Sequence, residues 1–238
     1  MAKKKRMSSL ATKSVLEDLL RARRLQPEGP PLRGEDRRRR PLPTGIGTID
    51  ALTGGGFPRG QLSEVHGPPS SGRTGLAFAL LARTTRAGAL AALVDPADRF
   101  DPASAAAASC DLARLLWLRG PVALPAAVSA VTTLAASGLF DVVLLDLASV
   151  PEAERRRLPG ATWIRLQRAV EETPTALLLL AREHVAHGPR GATLALASAG
   201  PRWSGPSGPA RLLTALHSEV REGRLAPRPA AFALRAFS

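Results

Sequence analysis

Three stretches of this chain are apolar almost without interruption: residues 89–94 (ALAALV), 142–146 (VVLLD) and 175–180 (TALLLL). A strand with one face in water alternates polar and apolar residues, so runs of this kind must be covered on both faces. Between and around them lie helical patterns at 74–86, 101–109, 124–137 and 162–172, and a short strand at 115–118. Strands alternating with helices specify an α/β fold with a central, mostly parallel sheet flanked by helices. Beyond Gly188 the texture changes to glycine and proline turns with β-like runs at 192–198 and 230–236. Residues 210–222 fit helix or strand equally, and periodicity does not decide between them.

A further strand at 61–66 runs into Gly67–Thr74, GPPSSGRT. The pattern G-x-x-x-x-G-K-[ST] uses glycines so that backbone N–H groups can wrap a phosphate, lysine as a slim charge between the outer phosphates, and Ser/Thr as a Mg²⁺ ligand. Gly67, Ser70, Ser71, Gly72 and Thr74 fit a phosphate loop, and Arg73 stands where the lysine belongs. A guanidinium is broad, planar and forked, so the exchange is not conservative. Asp146 closes the run VVLLD at the carboxyl end of a parallel strand, where ligands of such sheets gather and where a carboxylate would hold Mg²⁺. Loop and acid together form a degenerate nucleotide site, with weak ATP and Mg²⁺ binding as the residual expectation.

Charge is unevenly spread. The net charge is +13. Residues 1–40 hold 13 Lys/Arg against 5 Asp/Glu, or +8, which leaves +5 for the rest. Such an arm suits a polyanion. The DNA-contact candidates are Lys3, Lys4, Lys5, Arg6, Arg37, Arg38, Arg39 and Arg40, with Arg155, Arg156, Arg157 and Arg190 in two loops of the core. The competing view is a solvated tail. Aromatic residues make up 4% and tyrosine is absent, which argues for phosphate contacts rather than base stacking. From about Ser9 to Leu25 a helix carries Val15, Leu16, Leu19 and Leu20 on one face. That stripe either docks on another chain or folds back on its own domain. Pro27 ends the helix, and residues 26–41 form a Pro/Arg-rich linker, which divides the chain into an arm at 1–41 and a core at 42–238.

The remaining features set limits. No apolar run reaches the roughly 18 residues of a membrane span. The basic start has no apolar signal segment behind it, so a cytoplasmic, nucleoid-associated protein is expected. Cys110 stands alone, which excludes an internal disulfide and suits a buried small hydrophobe. The four histidines are scattered without ligand spacing, so no metal centre is expected. Trp117, Trp163 and Trp203 are taken as packing anchors.

These motifs, in this order, resemble the bacterial RecA recombinase core. The segments that carry the resemblance are GED at 34–36, PTGIGTIDALTGGGFPRGQLSEVHGPPSSGRT at 43–74, VDPADRFDP at 94–102, CDLARLLWL at 110–118, FDVVLLD at 140–146 and TALLLLAREHVAHG at 175–188. It runs from about residue 8 to the end of the sequence, without the family's C-terminal domain. It implies a RecA-like phosphate-loop core plus an N-terminal helix. It also implies that the family's catalytic glutamate falls on Ala97, its adenine-stacking tyrosine on Ser104 and its γ-phosphate-sensing glutamine on Arg182. One lysine that reaches the neighbouring subunit's nucleotide falls on Glu222, with Arg224 retaining the other charge. The DNA loops correspond to residues 151–160 and 186–191. Several losses aimed at one function imply that ATP turnover is gone, which makes the chain a pseudo-ATPase.

A small, degenerate RecA-like chain is similar to the ImuA family, accessory proteins of the SOS DNA-damage response and its mutagenic translesion synthesis. The resemblance implies DNA as a partner, together with an ImuB-like homologue of Y-family polymerases. RecA and a replicative-type error-prone polymerase are further candidates. The alternative is an active DNA-dependent ATPase or recombinase, with Arg73 serving for lysine and Asp98 for the carboxylate lost at Ala97.

Overall fold

The computed structural model describes residues 14, 16–22, 25, 40–187, 191–206, 208, 211–222 and 229–235. Eight strands form one sheet in the order β3-β2-β4-β5-β1-β6-β7-β8. They are β1 (Leu62–His66), β2 (Ala91–Asp95), β3 (Leu115–Arg119), β4 (Val142–Asp146), β5 (Ala176–Ala181), β6 (Thr193–Ser204), β7 (Leu212–Glu222) and β8 (Ala230–Arg235). From β3 to β6 every neighbouring pair is parallel. The last two pairings are antiparallel. The α/β architecture expected from the apolar runs is therefore present, and the undecided segment 210–222 is strand.

Both faces of the parallel region are covered, which is why β2, β4 and β5 carry nearly continuous apolar runs. Leu93, Leu144, Leu178 and Leu180 point into one apolar cluster with the helix α2 (Arg73–Arg86). Val94, Val143, Leu145, Leu177 and Leu179 point into the other, against α4 (Leu124–Ser137) and α6 (Ala161–Val170). Neighbours along each strand alternate between clusters, the period of two that a pleated strand imposes. Three shorter helices, α1 (Gly47–Leu52), α3 (Pro102–Ala107) and α5 (Glu152–Arg155), sit in connections. Asp101 caps α3 by accepting from the N–H groups of Ala103 and Ser104, with Pro102 following it. The sequence pattern did not indicate α1 or α5, which are too short for a helical period and lack the alanine run that marks α3.

Residues 16–22 are helical, and Leu20 is buried at 4% exposure in the same cluster as α4 and α6. Leu16 packs beside it, whereas Leu19 is 46% exposed. Of the two fates open to the apolar stripe, folding back holds for Leu16 and Leu20. The expected partner contact of Leu20 is corrected accordingly: the chain's own core already covers it, while Leu16 is only partly buried. Val15 lies outside the described residues.

β6 pairs with β1 only from Thr193 to Ala195 and then continues with β7 alone to Ser204. The end of this ribbon carries Trp203, 44% exposed, against the Arg211 guanidinium 5.6 Å from its ring centre. Trp203 is thus no packing anchor, because the two-stranded extension has no opposing layer to bury it. Trp163, on α6, is buried as expected. Cys110 is also buried, and burial pushes its thiol up in pKa.

Candidate functional site

The sheet order places β4, β5 and β1 side by side, so their carboxyl ends open on one rim. Asp146 stands opposite Leu180, and His66, the last residue before the loop, stands opposite Ala181. Loop and acid, 72 positions apart from Thr74 to Asp146, therefore meet across β5. The loop's glycines answer to close packing. A Cβ on Gly67 would fall 2.3 Å from the Leu196 carbonyl oxygen, and one on Gly72 would fall 2.3 Å from Ser218 Oγ. Gly72 also has φ +93°, a left-handed conformation that suits glycine. Ser70 takes φ +61° although it has a side chain.

Arg73 opens α2, and its guanidinium turns toward the sheet. Its Nη1 donates to the Ala181 carbonyl at 2.8 Å. Burial lowers its pKa, Asp146 acts in the opposite direction, and Arg182 lowers it further. Asp146 accepts from the Ala148 N–H at 2.8 Å. Its carboxyl is pushed up, first by burial and then by Asp95, against the Ala148 hydrogen bond and the weaker pull of Arg73. Thr74 is exposed, while Ser71 is buried with Oγ unpartnered.

A cavity of about 270 Å³ lies between the loop, α2 and the ends of β4 and β5. Arg73, Arg99 and Arg182 line it with Ser70, Thr74 and Asp146, its only carboxylate among the described residues. Arg182 is held by its Nε, which donates to the Ala148 carbonyl at 2.7 Å.

Of the other acids nearby, Asp98 is paired, whereas Asp95 is held through one oxygen only and its buried Oδ1 has no hydrogen-bond partner. Asp95 is 1% exposed, and its Oδ2 accepts from the N–H groups of Arg99 and Phe100 at 2.8 Å. Asp98 pairs with Arg119 at 2.9 Å. Ala97 packs against the apolar cluster, and Ser104 Oγ donates to Asp101 at 2.5 Å. The arrangement suits the phosphate groups expected from the loop. It suits Mg²⁺ poorly, because three arginines set positive charge around the single carboxylate that would hold the ion.

The arginine run at 155–157 divides. Arg155 is 8% exposed, bonded to Glu183 at 2.5 Å and to the Leu147 carbonyl at 3.5 Å. Its expected phosphate contact is corrected: the single turn of α5 carries it inward as its last residue. Arg156 is exposed and pairs with Glu152, and Arg157 is exposed. Arg40 is also exposed. Lys3, Lys4, Lys5, Arg6, Arg37, Arg38, Arg39, Arg190 and Arg224 lie outside the described residues. Glu222 pairs with Ala195 at the end of β7.

One group escaped the sequence pattern altogether. Glu64, in the middle of β1, is fully buried and accepts from His184 Nδ1 at 2.8 Å and from the N–H groups of Val185 and Ala186 at 2.8 and 3.0 Å. It ties the loop after β5 to the strand that feeds the phosphate loop. The His184 ring lies 5.5 Å from that of His66 and 4.7 Å from that of His187, so three of the scattered histidines are neighbours. The signal available was an acid in the middle of a short strand that runs into the phosphate loop. Among the described residues no cluster of His, Cys, Asp or Glu could hold a metal ion, and no helix is long and apolar enough to cross a membrane.

Known proteins agree with this geometry. The chain is 41% identical over 129 residues to Protein RecA of Chlorobaculum parvum, a match covering 53% of this chain and 37% of that protein. Against Protein RecA of Crocosphaera subtropica it is 39% identical over 128 residues, covering 53% and 36%. The match thus spans little more than a third of these relatives. The crystal structure of the RadB recombinase superposes with a TM-score of 0.58 at 18% identity, covering 82% of this chain and 95% of that one. The model of the RecA N-terminal domain matches residues 34–168. That segment contains the phosphate loop, Asp146 and the strands β1 to β4 that carry them, and the chain belongs to the RecA N-terminal domain family.

Proposed function

We propose that this protein is a catalytically degenerate RecA-like accessory of DNA-damage-induced translesion synthesis. It binds DNA through phosphates and docks an ImuB-like polymerase homologue, with RecA as a second candidate partner. One observation carries the loss of turnover: Asp146 is the only carboxylate lining the cavity among the described residues, Asp98 being paired with Arg119 and Asp95 being buried outside the lining. Hydrolysis needs a group to orient or deprotonate the attacking water, a contribution of about 10²–10⁴-fold. Ala97 supplies none, and Arg73 is tied to the β5 backbone. The accessory role itself rests on the resemblance to ImuA together with this altered site.

The test is phosphate release from ATP with and without DNA. The expected rate is background under both conditions. Sustained DNA-dependent release that disappears in Asp146→Ala would overturn the proposal in favour of an active ATPase.

A further inference from the structure

The cavity at the phosphate loop is small and rich in arginine. Its volume of about 270 Å³ is near the lower end of the roughly 300–1,000 Å³ typical of pockets that enclose a complete small ligand. Phe78 and Phe100 line it, but their rings are engaged with each other at 5.7 Å, and Phe100 meets Trp117 at 5.1 Å, all edge to face. These contacts hold the rings in the core packing rather than at a rim where a base could stack. What the cavity does offer is charge: three arginines against one carboxylate in its lining.

Two of these guanidiniums are anchored from behind. Arg73 is held by the Ala181 carbonyl and Arg182 by the Ala148 carbonyl. Each recorded bond uses one of five donors, so a fork of N–H groups remains for a planar or tetrahedral oxyanion. The backbone tethers also reduce the side-chain entropy lost on binding. Backbone N–H groups of the loop and the start of α2, a 14-residue helix with no acid in its first turn, add further positive potential.

We propose that this cavity holds a polyphosphate chain, either pyrophosphate or the phosphate tail of a nucleotide, without a divalent cation. Arg73, Arg99 and Arg182 supply the countercharge that Mg²⁺ would otherwise provide. The inference rests on the reading of the site as one without turnover, and it names that site's ligand class.

Calorimetric titration of the full chain with ADP, GDP and pyrophosphate, each in EDTA and in magnesium, tests it. All three ligands are expected to bind in EDTA, and magnesium should change their affinities by no more than about threefold. Arg182→Gln, at an exposed position, should weaken all three by about tenfold with an unchanged circular dichroism spectrum. Arg73→Lys should make binding depend on magnesium. Saturation only in the presence of magnesium, or none with any ligand, overturns the inference. ADP binding about a hundredfold tighter than pyrophosphate overturns its phosphate-only basis. ATP hydrolysis accompanied by retained metal-free binding would instead defeat the proposed loss of turnover and leave this inference standing.

Discussion

Asp146 and Arg73 face one another across the site, and each is displaced from its ordinary pKa by burial more than by its partner. For Asp146 the folded pKa lies above the unfolded value of about 3.9, so the folded state holds that proton more tightly. Its contribution is most favourable below pH 4 and is lost as pH rises through the folded pKa. Asp146→Asn keeps an acceptor for the Ala148 N–H and removes the ionisation. Its melting temperature should therefore exceed that of the parent at pH 7 and converge with it near pH 4, and a lower value at pH 7 would contradict this. Arg155→Ala should cost about 1–3 kcal/mol in chemical denaturation, because a buried guanidinium and its bonds are lost while Glu183 remains half in water. Arg157→Ala should fall within about 0.5 kcal/mol. Asp146 was legible because an acid ended an apolar run. Arg155 was not: three adjacent arginines look alike, and only the turn of a four-residue helix decides which one faces inward.

At the scale of elements, the sequence revealed those whose burial leaves a period and hid those held by local bonds. β2, β4 and β5 were legible because two covered faces demand continuous apolar residues. α1 was hidden because it is fixed by Asp50, whose carboxylate accepts from both Thr44 N and Thr44 Oγ1 at 2.7 Å. β7 was ambiguous because much of it has no opposing layer to impose alternation, and its first residues, Leu212 and Leu213, are 68% and 42% exposed. The N-terminal helix combines both situations. Leu20 is in the core, yet Leu16 and Leu19 border an apolar groove with Leu115, Trp117 and Leu134 along the edge strand β3. Leu20→Ala should cost about 2–3 kcal/mol, within the usual range for a buried leucine. Leu19→Asp should leave the melting temperature within about 2 °C of the parent. Equal effects of the two substitutions would show that the helix does not pack as described.

On the scale of the whole molecule, the two concentrations of positive charge belong to different tasks. The three arginines at the phosphate loop line a small cavity, whose proposed ligand is a compact anion. The first 40 residues carry +8 of the net +13, and the exposed Arg40, Arg156 and Arg157 extend the basic surface onto the described core. A polyanion that engages a dispersed set of cations binds by releasing counterions, with no need for base recognition. If about six phosphates are contacted, the logarithm of duplex affinity should fall against the logarithm of salt with a slope of about −5. Removal of residues 1–7, or Arg156→Ala with Arg157→Ala, should flatten that slope without altering its independence of sequence. Fluorescence anisotropy across a salt series measures both. Arg182→Gln serves as the control, since a charge committed to the phosphate-loop cavity should leave the slope unchanged. A flattened slope in that variant, with no change on removing residues 1–7, would transfer the DNA contact from the arm to the carboxyl rim of the sheet.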